Sequence, residues 1–306
     1  MKPYQPREDR PLLGLGFMCI TLALFTSVDT SAKWLILSGL PVMQVVFVRY
    51  AGHFLTSALT FLPREGMEAF RSERPGLQLL RAIALLMGTT FNFIALQYLP
   101  ITVTTAIYFA SPIVITILSV VFLGERIGTK RAMAILVGFV GVLIVVAPWG
   151  AGFHPAMLLS LCSLLSASTF FVLTRQLAGV DPNSTSQLWA SGTATLVFLP
   201  LGLSVWVWPE TVTGWLVLVF IGIFAAVGHA IAVTAHRFAN ASTLAPMTYI
   251  QSIYAAVAGY VIFNNLPGWT TAIGTGIIIA SGVYIWWRER ELMLRRRRVE
   301  MASLTR

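Results

Sequence analysis

Residues 82–124 read AIALLMGTTFNFIALQYLPITVTTAIYFASPIVITILSVVFLG, 43 positions without an Asp, Glu, Lys or Arg. A helix that crosses the ~30 Å hydrocarbon core of a bilayer needs about 20 apolar residues at about 1.5 Å each. The stretch is therefore too long for one span and fits two, with the break at residues 97–100, where Gln97 and Pro100 interrupt it. A barrel strand would instead alternate polarity over about 10 residues.

The same reading extends outward in both directions. Charge-free runs at 11–28, 182–209 and 211–236 each hold one span, as does 41–62, interrupted only by Arg49. The runs at 132–174 and 238–287 each hold two, broken near Pro148, Trp149, Gly150 and Pro155, and at residues 264–268. The fold class is thus all-α integral membrane, with ten transmembrane helices. Composition agrees: 57% of the 306 residues are hydrophobic and 11% are charged, against about 25% charged in soluble domains. Soluble enzymes, disordered chains and nucleic-acid-binding modules are excluded on that balance. Two cysteines build no disulfide scaffold. The first run passes directly into Asp29, Lys33 and Trp34 without a cleavage pattern, so it is a span and not a signal peptide.

The basic residues set the orientation. With the N-terminus inside, 19 of the 21 lysines and arginines fall on inner loops and tails, with Arg64, Arg71, Arg74 and Arg81 in one such loop. Only Lys33 and Arg49 lie elsewhere. The positive-inside bias places both termini in the cytoplasm, on a multi-pass protein of the cytoplasmic membrane. The run Arg295, Arg296, Arg297 and Arg298 then reads as an anchor for anionic headgroups, not for nucleic acid.

A shift of about 140 residues lays the second half over the first, with Thr102 on Ser242, Ser111 on Gln251 and Gly128 on Gly268. Five spans repeat as five. Five is odd, so the second copy enters the membrane from the opposite side. Two inverted five-helix repeats, 1–149 and 150–287, followed by a basic cytoplasmic tail at 288–306, are the architecture of a secondary transporter.

Pro100-Ile-Thr-Val-Thr-Thr-Ala, then Pro112, then Gly124-Glu125-Arg126, then the small-residue helix to Gly138 and Gly141, form an ordered set. That set, with Arg49 on the second span, resembles the EamA-type drug/metabolite transporter superfamily over essentially the whole chain. The second half departs from the pattern: Asn264 and Asn265 replace the Gly-Glu pair, and Ser252 replaces the proline. Within the superfamily the resemblance leans to aromatic amino acid exporters. It implies a central pathway lined by helices 1, 3, 4, 6, 8 and 9, alternating access, and export of small organic metabolites, amino acids first.

Polar residues at mid-span are the site candidates. Thr104, Tyr108 and Ser111 stand at i, i+4 and i+7 on helix 4, and Pro112 introduces a kink. Tyr249 and Gln251 occupy the matching part of helix 9. Asn92 on helix 3 and His229 on helix 8 complete the substrate-binding set. Hydroxyls also serve as glue between helices, and that reading stands beside the functional one. Asp29, Lys33 and Arg49 are charge-pair or coupling candidates. Asp29 and Lys33 share a helix face at i, i+4, so a structural ion pair comes first, with Arg49 a further partner for Asp29. No ligand cluster for a metal, no cofactor motif, no P-loop and no hydrolase motif occurs. The chain is read as no enzyme, without cofactor, whose partners are a small-molecule substrate and the lipid bilayer.

Overall fold

The computed structural model describes residues 10–123, 129–147, 150, 152–177, 180–239 and 244–304. Among these, every regular element is helical: α1 (Pro11–Leu37), α2 (Val42–Glu65), α3 (Pro75–Tyr98), α4 (Ile101–Tyr108), α5 (Ser111–Leu123), α6 (Thr129–Val146), α7 (Ala156–Leu177), α8 (Asn183–Ser204), α9 (Val212–Phe238), α10 (Gln251–Phe263) and α11 (Trp269–Leu304). Short 3-10 turns at Gly66–Phe70 and Ala245–Ile250 precede α3 and α10. The motif at 124–126 lies outside the described residues.

Prolines place the starts. Pro11 and Pro75 occupy the first turns of α1 and α3, and Pro41, Pro100 and Pro182 stand just before α2, α4 and α8. A first-turn N–H has no intrahelical partner, so a residue without one loses nothing there. Asn264 ends α10 at φ 51°, and the N–H of Asn265 reaches back to the Gly259 carbonyl at 2.8 Å. Asparagine tolerates this left-handed geometry better than most residues. The pair that breaks the repeat's sequence pattern thus terminates a helix.

Seven helical stretches among the described residues are long and apolar enough to cross a membrane, and two shorter apolar helices cover Ala132–Val146 and Met247–Phe263. The outer surface is apolar: Leu196, Val261 and Trp269 are 73%, 73% and 85% exposed. A soluble protein does not present such a surface, whereas lipid covers it at no cost.

Two expectations need correction. Helix 4 is two helices, because α4 stops at Tyr108 and α5 starts at Ser111. Pro112 cannot donate to the Tyr108 carbonyl four residues back, and its ring collides with that oxygen. The Ser111 hydroxyl donates to it instead at 2.5 Å. Arg81 is not a loop residue but lies in the second turn of α3, 8% exposed. In addition, α11 runs 36 residues to Leu304, about 54 Å at 1.5 Å per residue. The basic stretch at 288–304 is therefore the helical extension of the last span beyond a ~30 Å core.

The packing pairs helices across the two halves. α1 packs on α9, α3 on α7, α2 on α8 and α9, α3 on α8, α6 on α11, α4 on α10, α4 and α5 on α7, and α1 on α10. Exchanging the halves leaves that set of pairs unchanged. The bonds follow suit: Ser163 on α7 donates to the Gly88 carbonyl on α3 at 2.7 Å, and Thr21 on α1 donates to the Gly228 carbonyl on α9 at 3.5 Å. The Ser252 hydroxyl donates to the Tyr249 carbonyl at 2.6 Å, as Ser111 does to Tyr108.

At one end of the bundle, Asp181 between α7 and α8 fastens the two halves together. Its carboxylate accepts from the Ser72 hydroxyl, the Glu73 N–H at 2.9 Å and the Gln78 amide at 2.8 Å. Partial burial pushes this carboxyl up, but the Ser72, Gln78 and Glu73 donors and the Arg74 charge outweigh it and hold the group below the usual carboxylate range. A depressed folded value means the contribution is present above the unfolded value near pH 4 and is lost as pH falls through the folded one. The melting temperature of Asp181→Asn protein is therefore expected to fall less steeply than wild type between about pH 5 and pH 3. Identical slopes in detergent melts would show that the carboxylate contributes nothing.

Candidate functional site

The mid-span polar residues converge on one band between α1, α2, α3, α4, α8 and α9. At its head, the Asn92 amide on α3 donates to Asp29 Oδ1 on α1 at 3.0 Å. The Arg49 charge on α2 and the Tyr108 hydroxyl at the end of α4 lie within electrostatic reach of the same carboxylate. One helical turn below Arg49, His53 Nε2 meets Gln187 Oε1 on α8 at 3.1 Å. The His229 ring on α9 stacks on His53 with centroids 5.2 Å apart, and Phe25 of α1 stands tilted to it at 4.9 Å.

The band continues to the end that Asp181 fastens. Arg81 donates from Nε to Thr174 Oγ1 at 2.7 Å and from Nη1 to the Ser186 carbonyl at 3.0 Å, with Phe170 against its guanidinium at 4.5 Å. Gln78 bonds Ser186 and Asp181. Polar groups thus follow one another from Asp29 to Asp181, hydrogen-bonded in three groups: Asp29 with Asn92, His53 with Gln187, and Arg81 and Gln78 with Ser186, Thr174 and Asp181. Asp29, Asn92, Tyr108 and His229 are each only half-buried, although helices surround them.

Other candidates go elsewhere. Lys33 does not pair with Asp29. Its ammonium donates to the Leu96 and Leu99 carbonyls at 2.8 and 2.6 Å, and the Phe263 ring stands 5.4 Å away. The last carbonyls of α3 lack intrahelical donors and carry the negative end of the helix dipole, which makes them the stronger partner. Ser111 is buried and its hydroxyl is committed to the backbone at the α4–α5 break. Pro112 causes that break. Tyr249, on the 3-10 turn, packs edge-on to Phe109 at 5.6 Å, and its hydroxyl lies over Gly282 of α11, where a Cβ has no room. Gln251 is half-buried at the first position of α10.

Gln187 and Arg81 belong to the band and were missed. Gln187 lies in the polar start of a charge-free run, where a count of charges carries no signal. Arg81 borders the decisive run directly, and a span drawn one turn longer would have included it. The packing bonds come in like pairs, Ser163 to Gly88 with Thr21 to Gly228 and Ser111 to Tyr108 with Ser252 to Tyr249, whereas a shift of about 140 residues sets no charged or amide side chain opposite Asp29, Arg49 or Asn92.

Known proteins resemble this chain along nearly its whole length. An S-adenosylmethionine uptake transporter of Rickettsia bellii is 28% identical over 284 residues, covering 92% of this chain and 96% of its own. A riboflavin transporter of Vibrio cholerae is 28% identical over 295 residues, covering 95% and 99%. A pseudopaline exporter of Pseudomonas aeruginosa is 26% identical over 272 residues, covering 88% and 95%. These relatives are transporters named for cargo other than aromatic amino acids, and they include both uptake and export. A solved crystal structure covering 91% of this chain and 97% of its own has a TM-score of 0.61 at 20% identity, which speaks to fold alone. The model of the EamA-like transporter family matches twice, over residues 12–147 and 154–287. Matching nearly all of the spanning region in this way, the chain belongs to the EamA-like transporter family.

Proposed function

We propose that the protein is a secondary transporter that moves a small organic metabolite across the cytoplasmic membrane by alternating access. In this reading, ten membrane-crossing segments form two inverted five-helix halves, with both termini in the cytoplasm. The set of helix pairs, unchanged on exchange of the halves, and the double family match support that organisation. The observation that carries the function is the polar band. Ionisable and amide groups meet at mid-span between the two halves, where such groups are costly and mark transport pathways.

Asn92, Tyr108 and His229 contact the cargo, with Ser111 and Pro112 shaping the α4–α5 break beside it. Phe25 and Tyr108 suit a cargo with an apolar ring, and the amides and imidazoles suit a polar head. Amino acids and their nucleoside-sized derivatives fit that description, and the S-adenosylmethionine and riboflavin relatives support its size. Without a nucleotide motor in the sequence, the cargo gradient or a coupled ion sets the direction, export being the one the sequence resemblance favours.

The test is flux in proteoliposomes loaded with S-adenosylmethionine, riboflavin or phenylalanine, with and without a pH gradient. At least one is expected to move faster than through protein-free vesicles. His229→Ala is expected to lower the initial rate at least fivefold while costing only about 1 kcal/mol of stability, the usual cost for a polar interhelical contact. A rate that falls only in step with lost folded protein reduces His229 to helix glue. No flux of any of the three defeats the cargo reading.

A further inference from the structure

Among the described residues, three cations are buried, Lys33, Arg49 and Arg81, at 5%, 8% and 8% exposure, and no acid is buried to that degree. Two of the three have hydrogen-bond acceptors in contact. Lys33 donates to two carbonyls at the end of α3, and Arg81 donates to Thr174 and to the Ser186 carbonyl. Arg49 differs. Its Nε and Nη1 have no hydrogen-bond partner among the described residues. Its guanidinium has ring faces for neighbours, Tyr50 at 4.5 Å and Phe93 at 5.9 Å. The Tyr50 hydroxyl donates to the Leu85 carbonyl at 3.1 Å and meets the Thr89 hydroxyl at 2.8 Å, so the ring cannot turn to help.

A buried guanidinium with idle donors is expensive. Asp29 does not relieve it by contact. The Asn92 amide holds Asp29 Oδ1, and the carboxylate acts on Arg49 through its field. On α8, opposite His53, the Gln187 amide nitrogen is also buried without a partner among the described residues. Beside Asp29 the band therefore carries buried hydrogen-bond donors, on Arg49 and Gln187, that no neighbouring group receives.

We infer that Arg49 is the receptor for a carboxylate on the transported molecule, with Asp29 as its counter-charge while the site is empty. The planar fork of arginine matches a carboxylate with two parallel bonds. The faces of Tyr50 and Phe93 hold the guanidinium flat and exclude water from it. This inference rests on the transporter reading above and adds the chemistry of the cargo's head group.

The experiment uses the purified full-length chain and two probe pairs that differ only in the carboxylate: S-adenosylmethionine with its decarboxylated form, and phenylalanine with phenethylamine. Ligand-induced melting shifts in detergent and flux in proteoliposomes are read for wild type, Arg49→Gln, Arg49→Lys and the charge-balanced double variant Asp29→Asn, Arg49→Gln. In wild type, the acid of at least one pair is expected to bind at least tenfold tighter than its partner. That preference falls below threefold in Arg49→Gln and returns only in part in Arg49→Lys, which keeps the charge without the fork. The double variant, which leaves no charge uncompensated, keeps the test valid if Arg49→Gln fails to fold, and it too is expected to lose the preference. Equal binding of acid and amine by wild type, a preference that survives in the double variant, or flux of riboflavin that Arg49→Gln leaves untouched overturns the inference while the transporter reading stands. Silence from every probe, in binding and in flux, overturns the inference and the cargo class together.

Discussion

Replacing Gly222 by leucine is expected to lower the melting temperature of the purified protein by about 10 °C and to deplete folded chain in the membrane. α2 and α9 cross at Gly52 and Gly222. A Cβ on Gly222 would stand 2.6 Å from Gly52 Cα, 2.9 Å from its carbonyl carbon and 3.0 Å from the His53 nitrogen. All three are backbone atoms, which cannot swing aside as a side chain can. The helices must separate, and the seam between the halves loses packing along its length. Overfilling a packed interior costs about 1–3 kcal/mol, and a crossing blocked by backbone belongs at the upper end. For a chain of this size, about 3 kcal/mol corresponds to roughly 10 °C. Gly276 is the control, because an added Cβ there meets nothing within 4 Å. Gly276→Leu is expected to melt within about 2 °C of wild type. Equal melting of both variants would show that α2 and α9 are not in that contact.

The spans were legible because lipid leaves the sequence little freedom. Backbone groups must be satisfied inside each segment, so a charge-free run of 43 residues can be read by length alone. Its break at Leu99 and Pro100, and that at 264–268, appear where the sequence places them. The halves of helix 4 were less legible. Pro112 announces a disturbance, but proline acts on the carbonyl four residues back, so the helix stops at Tyr108. Partners were the least legible. The i, i+4 spacing of Asp29 and Lys33 puts them on one face, yet spacing along a helix says nothing of the open carbonyls that a neighbouring helix offers. Lys33 finds those of α3, and Asp29 turns to Asn92, 63 residues away. The candidates that came together, Asp29, Arg49, Asn92, Tyr108 and His229, are polar groups whose partners lie on other helices, which no spacing along one helix can name.

Asp29→Asn is expected to cut the initial transport rate at least tenfold, about 1.4 kcal/mol in free energy, while the chain stays folded. The amide that replaces the carboxylate keeps an oxygen for the Asn92 donor, so the 3.0 Å bond between α1 and α3 survives. What disappears is the negative charge opposite Arg49. A structural role resides in the bond, and a transport role in the charge, so this substitution separates them. Asn92→Ala is the converse: it removes the bond and leaves the charge, at the ~0.6–1.7 kcal/mol typical of a polar contact between membrane helices. Neutralising Lys33 should not rescue Asp29→Asn, because Lys33 is held by carbonyls and not by Asp29. Neutralising Arg49 restores charge balance, and a rescue of both folding and flux by Arg49→Gln would mark a purely structural pair. The expected result is recovery of the melting temperature with no recovery of flux. A balanced pair of neutral side chains holds the helices together, but it presents no charge to a cargo and no charge to exchange for one.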